Sequence, residues 1–197
     1  VYIRTTNGKT ISQVSILKEI EGKRVFITFD SGALGDQLAW MPYCASFAYN
    51  YKCHVIVSTF KNELFEPVYP ELEFVPRGTT VNNLHGMFIL GWFWDKSREP
   101  ENPVTIPLQK AATNILHLPF KEIRPKINYV SNRIDYGGKY VAISIHSTSS
   151  LKLWHGWQAV VDFLIAQGYK VIEVSNVPPN HKSVHTQPKL ENIIQLE

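Results

Sequence analysis

Two short apolar runs with a helical pattern between them organise the first part of the chain. Residues 24–30 and 53–58 are rich in β-branched and aromatic residues, a composition typical of buried strands. Between them, residues 37–50 repeat apolar side chains at helical spacing, at Leu38, Met41, Ala45 and Ala48. This order predicts a β-α-β unit with parallel strands, and therefore a layered α/β fold.

Shorter patterns surround this unit. An Asn7-Gly8 pair between two β-rich stretches predicts a hairpin. Residues 62–65 predict a short helical turn, residues 72–75 a short strand, and residues 107–116 a helix. The apolar stretch 87–94 fits either a buried strand or a loop segment.

The same pattern begins again after a linker. Residues 118–129 contain Pro119 and Pro125 and have no clear period, which predicts a linker that ends near residues 135–138. A strand at 140–145, a helix at 156–167 and a strand at 170–174 then follow. Val160, Val161, Phe163 and Leu164 are expected to face inward on that helix, and Gly168 to end it.

We therefore expect two Rossmann-type α/β lobes with a cleft between them. Residues 1–135 form the first lobe, and residues 136–197 form the start of the second. One β-α-β unit plus a proline-containing tail is too short for a closed doubly wound domain. The chain is therefore expected to be part of a longer protein.

Composition narrows the class of protein. The 197 residues are 44% hydrophobic and carry a net charge of only +3, which fits a globular protein without a nucleic-acid groove. Cys44 and Cys53 favour a reducing interior and make no zinc-type pair. No apolar run is long enough to span a bilayer, and residues 1–4 do not open a secretory leader. The expected location is the cytoplasm.

The first candidate for chemistry is the turn at residues 31–36, directly after the first strand. Loops at the carboxyl ends of parallel strands are where open α/β sheets bind ligands. Gly32 and Gly35 allow a sharp turn close to a ligand, and Asp36 lies near the start of the helix. A helix N-cap is the alternative role for Asp36, and spacing alone favours it. The turn is neither a dinucleotide fingerprint nor a P-loop.

The second candidate is the hydroxyl-rich loop at residues 146–154. It offers four hydroxyls, the Lys152 ammonium and backbone N–H groups near a helix N-terminus, which suit a diphosphate. A solvated Ser/Thr loop with a snorkelling lysine is the alternative. The tryptophans at 92, 94, 154 and 157 suit stacking on a sugar or a base, but core packing or contact between the lobes is the expected role for most of them.

Together these two loops resemble a known family. Residues 30–43 are similar to the amino-terminal motif of lipopolysaccharide heptosyltransferases, with Gly35, Asp36 and Pro42 in matching places. Residues 148–154 resemble their Thr-x-x-x-Lys-x-Trp phosphate loop. Segments 58–65, 89–93, 107–109 and 146–148 resemble the autotransporter heptosyltransferase branch, so the resemblance covers most of residues 24–175.

The resemblance implies a GT-B glycosyltransferase that transfers heptose, with inversion, from ADP-heptose to serine hydroxyls of an autotransporter polypeptide. It implies that Asp36 is the general base on the acceptor loop that contains Gly32 and Gly35. It further implies that Thr148 and Lys152 hold the donor diphosphate, with a weaker contact from Ser147.

The same resemblance leaves cofactors and partners open. The autotransporter branch has a cysteine-bound iron in its carboxyl-terminal part, and Cys44 and Cys53 do not match that pattern. We therefore assign no metal site and identify no cofactor. The expected partners are an ADP-sugar, an autotransporter polypeptide and other copies of the chain in a homo-oligomer. A different donor sugar and a non-catalytic binding module remain the alternatives.

Overall fold

In the computed structural model, the chain divides at residue 130 into two units, Val1–Val130 and Ser131–Glu197. Each unit contains its own parallel sheet, as the repeated strand-helix-strand pattern predicted. The structure describes residues 3–4, 10–11, 17–97, 99–129, 135–147, 149–174 and 189–195.

A four-stranded parallel sheet forms the centre of the first unit. β3 (Arg24–Phe29) lies between β4 (His54–Ser58) and β6 (Gly86–Leu90), and β5 (Glu73–Phe74) pairs with the outer side of β4. All pairs in this sheet are parallel, which confirms the predicted β-α-β unit. Residues 86–90 are a strand, which settles the alternative that the sequence left open. Earlier in the chain, β1 (Ile3–Arg4) and β2 (Thr10–Ile11) pair antiparallel, as a hairpin requires.

Helix α1 (Leu34–Tyr51) covers the sheet with its longest apolar side chains. It begins three residues before the predicted start at Gln37, and its buried side chains include Trp40, Met41 and Phe47. The short α2 (Asn62–Phe65) and the 3-10 turn at 66–68 follow β4. Helix α3 (Leu108–Leu116) packs beside α1. Within the described parts of the chain, no helix combines the length and the apolarity that crossing a bilayer needs.

Side-chain hydrogen bonds help to hold the predicted linker after α3 against the rest of the first unit. The Tyr43 hydroxyl on α1 lies 2.8 Å from both the Gln109 Oε1 atom and the Lys121 carbonyl oxygen. Gln109 in turn donates to the Ile123 carbonyl at 2.7 Å. Burial, with the Glu122 carboxylate nearby, raises the pKa of Tyr43 to about 12, so the hydroxyl keeps its proton at neutral pH.

Removing that hydroxyl should destabilise the first unit. We expect Tyr43→Phe to lower the free energy of unfolding by about 1–2 kcal/mol, because the Lys121 carbonyl loses its donor. Tyr49→Phe on the same helix is the matched control, since Tyr49 is 84% exposed. Urea unfolding measures both variants. Equal midpoints for the two variants would show that Tyr43 does not hold the linker.

The second unit is a smaller parallel sheet with one helix. Its strands are β7 (Tyr140–Ile143), β8 (Lys170–Glu173) and β9 (Ile194–Gln195), in the order β7-β8-β9. Helix α4 (Trp157–Ala166) connects β7 to β8. Strand β9 was not predicted, because only its two residues pair and the preceding tail shows no strand pattern.

One prediction for α4 was wrong. Val161 is fully buried and Leu164 packs against the same apolar cluster, but Phe163 is 63% exposed. Residues three apart share a helix face, whereas residues two apart lie on nearly opposite faces. The predicted end of the helix is correct, because Gly168 adopts a φ of +79° directly after it.

Candidate functional site

Three loops meet at the carboxyl edge of the first sheet. They follow β3, β4 and β6, which are adjacent and parallel, so their carboxyl ends lie on the same side. The first loop, at residues 30–33, leads into α1 and brings Asp36 to this edge. The second begins at Thr59 and the third at Gly91.

Gln37 ties the first two loops together. Its side chain is fully buried, donates from Nε2 to the Gly32 carbonyl at 3.0 Å, and accepts from the Phe60 N–H at 3.0 Å. A single buried amide side chain therefore pairs with one backbone group on each loop. Sequence reasoning treated Gln37 only as part of the helix. The sequence did contain a signal for this role. Gln37 is a polar residue directly after the candidate acid, in a helix whose buried face is otherwise apolar.

Replacing the Gln37 amide should destabilise the loops at the carboxyl edge of the first sheet. We expect Gln37→Leu to lower the free energy of unfolding by about 1–3 kcal/mol, because the Gly32 carbonyl and the Phe60 N–H lose their partners. Hydrogen exchange should locate the change, with faster exchange of the Phe60 N–H. Unchanged exchange at Phe60 together with unchanged stability would contradict the role of Gln37.

Asp36 is the third residue of α1, not its N-cap. The N-cap is Ala33, which makes no side-chain capping bond, so the capping hypothesis for Asp36 was wrong. The carboxylate is half-buried, and its Oδ2 atom accepts a hydrogen bond from Trp92 Nε1 at 3.0 Å. A negative charge in the first turn of a helix is also favoured by the helix dipole.

The glycines of this loop have roles different from the predicted sharp turn. Gly35 is the second residue of α1, and neither Gly32 nor Gly35 has a positive φ. A Cβ at Gly32 would lie 3.4 Å from Phe60 Cδ1, so residue 32 packs directly beside that ring. Arg77 covers the ring at 3.6 Å from its centroid and donates to the Phe29 carbonyl at 2.9 Å.

The hydroxyl-rich loop lies in the second unit, after β7. Ser147 Oγ accepts a hydrogen bond from the Ser149 N–H at 3.2 Å, so this hydroxyl shapes the loop. Ser150–Lys152 form one 3-10 turn, and Lys152 is exposed. Among the described side chains, no carboxylate forms an ion pair with Lys152. Thr148 lies outside the described residues.

A buried carboxylate stands at the carboxyl end of the second sheet. Glu173, the last residue of β8, is 6% exposed, and its Oε1 atom lies 3.0 Å from His146 Nε2. Its other oxygen accepts from Gln195 Nε2 on β9 at 3.3 Å. This network joins His146, at the start of the hydroxyl-rich loop, to strands β8 and β9. The sequence did not predict the network, because strand β9 was not expected.

Core packing, one of the two roles expected for the tryptophans, does not describe three of them. Trp92, Trp94 and Trp154 are 40%, 72% and 53% exposed, so none of the three is a core residue. Trp154 and Trp157 make an edge contact, with ring centroids 5.4 Å apart. Of the three exposed indoles, that of Trp92 lies at the same sheet edge as Asp36, to which it donates a hydrogen bond.

The described residues do not fit a metal ion. They contain no cluster of three His, Cys, Asp or Glu side chains with suitable spacing. Cys44 is buried and Cys53 is half-buried, and both thiols are free. Burial raises the pKa of both thiols, that of Cys53 to about 11, which disfavours the thiolate that binds metals. We derive no step through a metal.

The predicted site residues fall into two groups. Gly32, Gly35 and Asp36 lie together in the first unit, where Trp92, Gln37 and Arg77 join them. Ser147 and Lys152 lie on one loop of the second unit.

Comparison with known proteins confirms the resemblance seen in the motifs. BimC of Burkholderia thailandensis, described as an inactive autotransporter heptosyltransferase, is 28% identical over 173 residues, covering 83% of this chain and 41% of BimC. The Escherichia coli autotransporter heptosyltransferase Aah is 28% identical over 162 residues, covering 78% of this chain and 41% of Aah. The chain thus spans about two fifths of the length of these relatives. No protein-family model matches it.

Solved structures confirm the fold. The crystal structure of TibC, an iron-containing dodecameric glycosyltransferase from enterotoxigenic E. coli, superposes with a TM-score of 0.76 at 22% identity. The match covers 95% of this chain and 49% of TibC. A structure of TibC in complex with ADP-D-β-D-heptose matches with the same TM-score. The α/β fold with a Rossmann-type lobe and a partial second lobe is therefore shared with TibC.

Proposed function

We propose that this chain is part of a GT-B glycosyltransferase that transfers heptose from ADP-heptose to serine hydroxyls of an autotransporter polypeptide. One observation carries the proposal: a chain similar in sequence to Aah and TibC places a carboxylate at the carboxyl edge of its first parallel sheet. That edge is where open α/β sheets bind ligands. Asp36 is the carboxylate in question.

In the proposed reaction, Asp36 acts as the general base. Its carboxylate takes the proton from the acceptor serine as the serine oxygen attacks the anomeric carbon of the heptose. The bond between that carbon and the diphosphate oxygen breaks in the same displacement, and ADP leaves with the electron pair. Attack from the face opposite the leaving group inverts the anomeric centre, and no covalent bond between sugar and enzyme forms.

The hydroxyl-rich loop of the second unit is assigned to the donor. Lys152 carries a positive charge that no described carboxylate neutralises, so it is suited to the diphosphate. Its role is to stabilise the negative charge that grows on ADP as the glycosidic bond breaks. Thr148 and Ser147 add hydroxyl contacts to the diphosphate in this assignment.

Location and assembly follow from the same proposal. TibC is described as dodecameric, and we propose that this protein also forms a homo-oligomer. We place the reaction in the bacterial cytoplasm, because the free thiols Cys44 and Cys53 suit a reducing compartment.

A panel of donors tests the proposal. The natural protein that carries this chain is incubated with an autotransporter polypeptide and, in parallel, ADP-heptose, ADP-glucose, UDP-glucose and UDP-N-acetylglucosamine. We expect release of the nucleotide diphosphate and labelling of the polypeptide with ADP-heptose. If transfer occurs only from a UDP-sugar, the proposed donor is wrong, whereas the proposed glycosyltransferase activity stands.

A non-catalytic role is the second candidate, because BimC, one of the similar proteins, is described as inactive. A module kept for protein contact predicts no turnover with any donor in the panel and no heat of binding with ADP. Calorimetry with ADP therefore separates the two candidates.

A further inference from the structure

Trp92 is only partly buried. It follows β6 on a loop, and 40% of its surface is exposed, so it is not a core residue. Its indole N–H has one role in the structure, which is to donate to Asp36 Oδ2 at 3.0 Å. The two residues are 56 positions apart in the sequence, so only the parallel sheet brings them together.

The backbone before Trp92 is held in place by β3. The Asp30 N–H donates to the Leu90 carbonyl at 2.8 Å, which extends the β3–β6 pairing to the end of the strand. Gly91 is buried, and a Cβ there would lie only 2.8 Å from Asp30 Cβ. The chain can thus turn tightly at residue 91 against the loop that precedes α1. Trp92 therefore leaves the strand from a fixed point next to Asp36.

An indole suits the orientation of a carboxylate. Trp Nε1 is a donor only, so it can bind a carboxylate oxygen but cannot take a proton from the acceptor hydroxyl. With Oδ2 occupied by this donor, Oδ1 is the oxygen left to accept a proton. The hydrogen bond also restricts rotation of the Asp36 side chain.

We propose that Trp92 is a positioning residue for Asp36, holding Oδ2 so that Oδ1 is directed to the acceptor hydroxyl. This inference rests on the proposed function, in which Asp36 is the general base. Trp92 itself touches neither the donor nor the departing ADP in this role. Its contribution is therefore made to the transfer step and not to the binding of substrates.

Trp92→Phe is the test, with Trp94→Phe as the matched control from the same loop. The variant keeps an aromatic ring and loses the N–H donor. We expect kcat of the natural protein with ADP-heptose to fall about 10- to 100-fold, because a hydrogen bond to a charged group is lost. The KM values for donor and acceptor should stay within about twofold, and Trp94→Phe should leave kcat unchanged.

Two further measurements separate positioning from general disruption. In an Asp36→Asn background, Trp92→Phe should cause little additional loss, because the group it orients is no longer a base. With 5-fluorotryptophan incorporated, the Trp92 fluorine signal should shift in Asp36→Ala and the Trp94 signal should not. An unchanged Trp92 signal, or equal losses of kcat in both backgrounds, overturns the inference.

The failures are distinguishable. If the unaltered protein transfers heptose and Trp92→Phe transfers it at the same rate, the positioning role is wrong and the proposed function stands. If the unaltered protein transfers no sugar, the proposed function fails and takes this inference with it.

Discussion

Asp36→Asn should abolish most of the transfer activity while leaving donor binding intact. General-base assistance contributes about 10²–10⁴-fold to such reactions, so kcat should fall by that factor. The amide has nearly the same shape and can still accept the Trp92 hydrogen bond through its oxygen. The fold at the sheet edge should therefore be kept. Initial rates of ADP release, with calorimetric titration of ADP-heptose, measure the two quantities separately.

The control for Asp36→Asn removes an equal charge far from the carboxyl edge. Glu21 precedes β3, is 72% exposed and pairs only loosely with Lys52 at 3.4 Å. Glu21→Gln should therefore keep full activity. Comparable losses in Glu21→Gln and Asp36→Asn would indicate a general effect of charge rather than proton transfer.

Lys152→Met should lower kcat and raise the KM for ADP-heptose, because the donor diphosphate loses a positively charged partner. Removing one donor to a developing negative charge costs about 10²–10³-fold in kcat, and the loss of a charged contact should also raise the KM for ADP-heptose. Methionine keeps the length and most of the apolar stem of the side chain. Rates measured over a range of ADP-heptose concentrations separate the two effects.

Lys139→Met is the matched control for Lys152→Met. Lys139 is exposed in the same unit and precedes β7, at the amino end of the second sheet. Its replacement should leave both kcat and KM unchanged. An unaltered KM and kcat in Lys152→Met would remove that residue from the donor site.

Most strands of the fold follow directly from the sequence. The run around Val55 is buried at four consecutive positions, as a strand covered on both faces is, whereas the run around Val25 is apolar but buries alternate residues. What the sequence could not show was pairing of very short segments. Strand β9 is two residues long and is defined by its neighbour β8 rather than by its own pattern. The start of α1 was also missed, because Leu34 and Gly35 carry no capping signal.

The candidate site was predictable only in part. A loop after a buried strand identifies Asp36 as a candidate, since that position depends on local order along the chain. Its partner Trp92 and the clamp at Gln37 depend on which strands become neighbours, a property of the folded sheet. Core packing was one of the two roles expected for the tryptophans, and the loop position of Trp92 and Trp94 leaves them too exposed for it.

Mass spectrometry of the acceptor gives the most direct test of the central claim. An autotransporter polypeptide is incubated with ADP-heptose and either the unaltered protein or its Asp36→Asn variant. The ADP-heptose concentrations are chosen so that the same fraction of each protein has donor bound. The predicted result is a mass increase of one or more heptosyl units with the unaltered protein and almost none with the variant. Equal heptosylation by both proteins, or no mass increase with the unaltered protein, would contradict the account.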